Sequence, residues 1–103
     1  MQAARSGLCF RSDFFVIQAR LSQLSKLRVG FTASKKVGNS VVRNRCKRRM
    51  RALADLVLAN QRESSIDYVF IARKKTYSAL WDELVTEAQK ALKILEKKMK
   101  SAH

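Results

Sequence analysis

Arg28-Val29-Gly30-Phe31-Thr32-Ala33-Ser34-Lys35-Lys36-Val37-Gly38-Asn39-Ser40-Val41-Val42-Arg43-Asn44-Arg45-Cys46-Lys47-Arg48-Arg49-Met50-Arg51 changes its periodicity half-way along, and that change decides the fold. From Leu27 to Ala33 the period is two, with Leu27, Val29, Phe31 and Ala33 facing one way, which predicts a strand. From Ser40 to about Asn60 the period becomes helical: Val42, Cys46, Leu53 and Val57 form a stripe that Met50 and Leu56 widen. Between the two, Gly38-Asn39-Ser40 supplies a turn and an N-cap.

Upstream, Phe14-Phe15-Val16-Ile17-Gln18-Ala19-Arg20-Leu21 also alternates. Phe15, Ile17, Ala19 and Leu21 fall on one side of an extended chain, and Phe14, Val16, Gln18 and Arg20 on the other. Only the polar stretch Ser22-Gln23-Leu24-Ser25-Lys26 separates this segment from Leu27, so the two strands are expected to pair as an antiparallel hairpin. Downstream, Asp67-Tyr68-Val69-Phe70-Ile71-Ala72-Arg73 is apolar on both faces, as in a strand covered by helices on one side and touched by ligand or protein on the other. A closing amphipathic helix is predicted from about Ala79 to Lys98, where Trp81, Leu84, Val85, Ala88, Leu92, Leu95 and Met99 trace one face. Asp82, Glu83 and Glu87 lie near its start and Lys97, Lys98 and Lys100 near its end, as the helix dipole prefers. There is no internal repeat, and no proline anywhere to build a proline-rich linker.

The chain has 103 residues, room for one modest core, and residues 1–103 are read as a single domain. Lysine and arginine number 22 against 8 acids, a formal net charge of +14. So much like charge repels itself unless a polyanion is at hand, which makes nucleic acid the first partner to consider. With 47% apolar residues the chain is too rich in core-forming side chains for a disordered basic tail. No apolar run approaches the ~18 residues of a membrane span and no secretion signal opens the chain, so a cytoplasmic protein without membrane contact is expected. Cys9 and Cys46 each lack a second cysteine at metal spacing, and the only histidine is His103, so no protein metal site is expected and both thiols are read as reduced and structural.

At 100° per residue, Arg43, Asn44, Arg45, Lys47, Arg48 and Arg51 fall on an arc roughly opposite the apolar stripe, whereas Arg49 lies near the stripe. Six of the nine residues from Arg43 to Arg51 are basic. A charge run is ordinarily a solvated face, but here no acid occurs from Lys35 through Ala54. Like charges at helical spacing repel by a few tenths of a kcal/mol per pair, roughly, and a row of phosphates would reverse that. Arginine outnumbers lysine five to one over the same nine residues, and its planar fork grips two phosphate oxygens or stacks on an unpaired base. Asn44 can read a base edge or a ribose hydroxyl. Lys35 and Lys36 precede the helix, whose free first-turn amides already favour phosphate.

The long stretch quoted first, with Arg43-Asn44-Arg45 on a basic helix, closely resembles the signature of the bacterial ribonuclease P protein family. Residues 67–73 are similar to that family's last strand, so the resemblance covers residues 14 to about 95. It implies an α+β fold, a two-layer α/β sandwich like domain 2 of ribosomal protein S5, with a mixed sheet, a left-handed βαβ crossover and helices on one face. It implies the RNA-binding protein subunit of an endoribonuclease, in a one-to-one complex with a catalytic RNA that carries the Mg2+ and performs the cleavage. By the same resemblance, Lys35, Lys36, Arg43, Asn44, Arg45, Lys47, Arg48 and Arg51 would contact that RNA. The 5′ leader of precursor tRNA would lie in a cleft beside the sheet, for which Phe14, Val16 and Gln18 are nominated. Family members usually open with a helix carrying an Arg-x-Asp-Phe element, and this chain is expected to begin after it. Arg11-Ser12-Asp13-Phe14 has those letters but runs straight into strand residues, so the match is taken as accidental. Gln18 stands where relatives often carry an aromatic, which weakens base stacking there.

The residues themselves offer no catalytic set. The eight acids are scattered, without a carboxylate cluster for metal-assisted hydrolysis, and no histidine is placed to act as a base. A structural RNA-binding protein such as a ribosomal component would share charge and fold type, and only the Arg-Asn-Arg signature speaks against it. A helix-turn-helix is disfavoured because the basic helix follows a strand. A membrane-surface helix would want Trp or Phe on its apolar face, and residues 41–60 contain neither.

Overall fold

The computed structural model describes residues 7–22, 26–60 and 65–101. Along the chain come β1 (Gly7–Arg11), β2 (Phe15–Leu21), β3 (Arg28–Thr32), α1 (Ser40–Val57), β4 (Ile66–Ala72), α2 (Lys74–Ser78) and α3 (Trp81–Ser101). The strands form one mixed sheet in the order β1-β2-β4-β3. Only the β3–β4 pair is parallel. Helix α1 packs over β3 and β4, and α3 over β1 and β2, so one face carries the helices and the other lies open, the α+β arrangement expected.

The expected hairpin between residues 14–21 and 27–33 does not form. β2 pairs with β1 and β4, and among the described strands β3 pairs with β4 alone. Two causes are visible. The connection from Ser22 to Leu27 lacks the Asn-Gly or Asp-Gly chemistry of a tight hairpin, and its residues 23–25 lie outside the described residues. β4, apolar on both faces, gains most from the central position, and α1 supplies the crossover that a parallel β3–β4 pair requires.

β2 finds its hairpin partner in β1, a strand of five residues too short for its alternation to stand out. The turn between them is built on Ser12. Its Oγ accepts from the N–H groups of Phe14 and Phe15 at 3.1 and 3.3 Å, and its N–H donates to Phe15 O at 3.0 Å. Arg11-Ser12-Asp13-Phe14 is therefore the end of a strand and a turn, not a helix.

Register fixes which side chains face the helices. Phe15, Ile17 and Ala19 lie opposite Ala72, Phe70 and Tyr68, and all six are buried. Val29 and Phe31 extend this layer onto β3, and Leu8 and Phe10 onto β1. From α1 come Cys46, Met50, Leu53 and Ala54, and from α3 Leu84, Ala88, Ala91, Leu92, Leu95 and Met99. Two stripe residues depart from expectation: Leu56 is 53% exposed and Trp81 38% exposed. Leu56 falls outside the arc centred on Met50 and Leu53, and Trp81 occupies the first position of its helix, before the stripe meets the sheet.

Helix α1 begins as its sequence requires. Asn39 Oδ1 accepts from Val42 N–H at 3.0 Å. Gly38 has φ +157°, and a Cβ there would sit 2.9 Å from Val42 Cβ, so only glycine fits this entry. Leu53→Ala should lower the unfolding free energy by about 2–5 kcal/mol, because Leu53 is fully buried. Leu56→Ala should change it by less than about 0.5 kcal/mol. Denaturant melts of both variants check this, and equal losses would mean that the helix is rotated.

Candidate nucleic-acid interface

The buried stripe of α1 fixes what the opposite arc can do. Asn44, Arg45, Arg48 and Arg51 are exposed on it, and Arg43 and Lys47 are half-buried at one margin. Lys35 and Lys36 are exposed in the turn before the helix, closed by Val37 N–H donating to Ser34 O at 3.0 Å. The eight residues nominated from sequence thus lie on one continuous segment, the capped turn and the outer side of α1. Arg43 carries a tension: its Nε is buried without a hydrogen-bond partner, a state that costs roughly 1–3 kcal/mol.

Arg49 does something different. From the inner margin of α1 its guanidinium donates to three backbone carbonyls, Thr76 O at 2.8 Å, Tyr77 O at 2.9 Å and Ala79 O at 2.7 Å. These would be the orphan carbonyls at the end of the short helix α2. α2 is held from its other side by Thr76, whose buried hydroxyl donates to Phe14 O and accepts from Arg73 N–H at 3.0 Å. Two arginines of the outer arc also meet rings, Arg45 over Tyr77 at 5.4 Å and Arg51 over Phe31 at 5.3 Å from the centroid. Such contacts contribute about 0.5–1 kcal/mol when exposed, enough to bias a long side chain toward one orientation. Beneath this helix burial pushes the Cys46 thiol up, against the pull of Arg49 and Arg45, so it is a core group.

On the open face of the sheet the register sets three rows across the strands. Arg11, Val16, Ile71 and Thr32 form one, Cys9, Gln18, Val69 and Gly30 the next, and Gly7, Arg20, Asp67 and Arg28 the third. The second and third rows border a cleft of about 410 Å³. Gln18 and Cys9 are exposed in it, whereas Val16 is only 7% exposed and offers little surface. Phe14 is not in the strand; it lies in the β1–β2 turn, half-buried, with Lys75 Nζ 5.9 Å from its ring centroid. Of the three leader candidates, then, Gln18 alone is both on this face and accessible. Asp67 is spanned by Arg28 through two bonds of 3.1 and 2.7 Å. That hydrogen-bonded guanidinium, helped by Arg20, holds the Asp67 carboxyl below its usual range. Among the described residues no three His, Cys, Asp or Glu side chains gather into a group that could hold a metal ion.

A basic helix with a capped, lysine-bearing entry, crossing between adjacent parallel strands, is the combination that comparison with known proteins identifies. The model of the family described as Ribonuclease P matches residues 1–96. The chain belongs to this family. It is 43% identical over 91 residues to the ribonuclease P protein component of Caulobacter vibrioides, covering 87% of this chain and 61% of that protein. It is 45% identical over 84 residues to that of Ruegeria pomeroyi, covering 78% and 67%. The chain therefore spans about three-fifths of the length of the Caulobacter relative. The fold is similar to that of the Staphylococcus aureus RNase P protein, with a TM-score of 0.73 at 24% identity over 91% of this chain and 85% of that one.

Sequence reading of this ribonuclease P family member passed over the cations that follow β4. Arg73, Lys74 and Lys75 are exposed and, with Lys36, line a cleft of about 520 Å³ at the ends of β3 and β4. Their signal was a plain run of three basic residues, but only the parallel pairing of β3 and β4 brings them beside Lys36. The two adjacent arginines of α1 should separate by function. Arg49→Ala should destabilise the fold by about 1.5–3 kcal/mol through its lost charge-assisted bonds. Arg48→Ala, on the exposed arc, should change stability by less than about 0.5 kcal/mol. Thermal melting of the pair is the check, and an early-melting Arg48→Ala beside a normal Arg49→Ala would reverse the assignment.

Proposed function

We propose that this chain is the RNA-binding protein component of ribonuclease P. It binds the catalytic RNA through Lys35, Lys36, Arg43, Asn44, Arg45, Lys47, Arg48 and Arg51, and the 5′ leader of precursor tRNA along the open face of the sheet at Gln18, with Phe14 and Val16 at the margin. It thereby assists endonucleolytic removal of the leader, while the RNA and its Mg2+ perform the cleavage. The complex is one protein to one RNA, in the cytoplasm. The observation that carries this reading is the outer arc of α1, basic and without an acid from Ser40 through Ala54, solvent-facing and set opposite the buried Cys46, Met50 and Leu53, in a chain of this family.

Reconstitution tests it. Mixed with the ribonuclease P RNA of a relative such as Caulobacter vibrioides and precursor tRNA at low magnesium, the chain should raise the yield of mature 5′ ends, and RNA-free protein should yield none. Binding of the catalytic RNA should weaken with salt. For about five neutralised phosphates, log affinity against log salt should fall with a slope of roughly −3.5 to −4.5. A slope near zero would exclude an electrostatic interface.

Cys9 reports on the open face independently, since it is exposed and lies opposite Gln18 in the β1–β2 register. In the assembled complex, precursor tRNA should slow maleimide labelling of Cys9 and mature tRNA should not. Buried Cys46 should label only after unfolding in both cases. Equal Cys9 rates with the two tRNAs would remove the leader from this face.

A further inference from the structure

Tyr77, Leu80 and Trp81 fall within five consecutive residues and are 41%, 69% and 38% exposed. They are large apolar side chains left in solvent at the α2–α3 connection, beside the part of α1 that carries Arg45, Arg48 and Arg49 and no acid. The backbone beneath them is fixed: Arg49 binds the carbonyls of Thr76, Tyr77 and Ala79. Glu83, three residues beyond Leu80, is engaged by Leu80 N–H at 3.0 Å and caps α3. The Arg49 bonds hold the turn through its main chain, so they do not depend on which side chain stands at position 77.

We propose that Tyr77, with the Arg45 guanidinium 5.4 Å from its ring centroid, is a stacking platform for an unpaired base of the RNA lying on α1. The proposal rests on the RNA-binding reading above and adds to it a contact of a different kind. Phosphates take the charges of the arc, whereas an unpaired base takes an aromatic face or a guanidinium plane, and structured RNA presents such bases in its loops and bulges. Here ring and guanidinium are already assembled, on a backbone that does not have to order on binding, which keeps the entropic cost of the contact low. The neighbouring Arg48, also exposed, would hold the phosphate on either side of the stacked nucleotide. A protein partner fits less well, since the platform is bordered by the stretch of α1 from Arg43 to Arg51, where six of nine residues are basic and none is acidic.

The test measures affinity at one fixed salt concentration for two probes, the ribonuclease P RNA of Caulobacter vibrioides and a fully base-paired RNA duplex. Tyr77→Leu keeps apolar bulk but removes the π face, and should bind the ribonuclease P RNA about five- to a hundred-fold more weakly. Its salt slope should stay at the wild-type value, because no phosphate contact is lost. Tyr77→Phe should bind like wild type. On the duplex, which offers no unpaired base, all three proteins should be equal, and all three should share one melting temperature. Wild-type affinity of Tyr77→Leu for the ribonuclease P RNA, or an equal loss on both probes, overturns the platform while leaving the electrostatic interface standing. A wild-type chain that binds neither probe overturns the RNA-binding reading and the platform with it.

Discussion

Helix α1 opposes its own formation, and the burial of its apolar stripe is what holds it. Arg43–Lys47, Lys47–Arg51, Arg45–Arg49, Arg45–Arg48 and Arg48–Arg51 are like-charge pairs at helical spacing. At about 0.2–0.5 kcal/mol each they oppose the helix by roughly 1–2.5 kcal/mol. Against this, Met50 and Leu53 are fully buried and contribute about 3–6 kcal/mol together. The helix therefore forms on the sheet and not before it, and its charged face is oriented by packing on the other side. A cationic surface stable only when docked to a core is a rigid one, and rigidity lets several phosphate contacts be made without ordering each side chain's backbone separately.

Arg49 extends the same logic to the next element. Five residues make α2 too short to hold itself, so its carbonyls are taken by an arginine from α1 and its Thr76 hydroxyl by the β1–β2 turn. Three segments remote in sequence thus meet at one point, and the basic run Arg73-Lys74-Lys75 is placed by the same contacts that fix the helix. One arginine in a row of five serves the fold; Arg43 is half-buried at the margin, and Arg45, Arg48 and Arg51, which look the same in sequence, face outward.

That division was legible from helical phase alone, because 100° per residue separates Arg49 from Arg48 without reference to any partner. The stripe Cys46, Met50 and Leu53, the two alternating strands and the two-sided character of β4 were legible for the same reason: each is a local pattern. Strand pairing was not. Residues 14–21 and 27–33 read as a hairpin because they are neighbours in sequence, and nothing in either segment records that β4, some 35 residues further on by sequence numbering, inserts between them. The site suffered in the same way. Arg73, Lys74, Lys75 and Tyr77 lie outside the basic helix in sequence, and only tertiary pairing brings them to its side. Phe14 was misplaced by a single residue, because the Ser12 turn delays the start of β2 to Phe15.

The sheet order also sets how the two proposed RNA-binding surfaces lie relative to each other. The outer arc of α1 and the open face of the sheet point away from each other, since α1 lies over the opposite face. A nucleic acid following one of them would meet the other only around an edge. At the ends of β3 and β4 that edge carries Lys36, Arg73, Lys74 and Lys75, with Asp13 paired to Lys75 at 3.9 Å as an exposed and correspondingly weak ion pair. Cations thus run from the helix arc round to the row containing Arg11, while at the far end of the open face Asp67 offsets one of the two charges of Arg20 and Arg28. A polyanion entering the open face is drawn toward the β3–β4 ends and the helix beyond them. The direction of that gradient follows from the parallel β3–β4 pair. In an antiparallel hairpin of β2 and β3 the start of α1, with Lys35 and Lys36, would not lie beside the residues that follow β4.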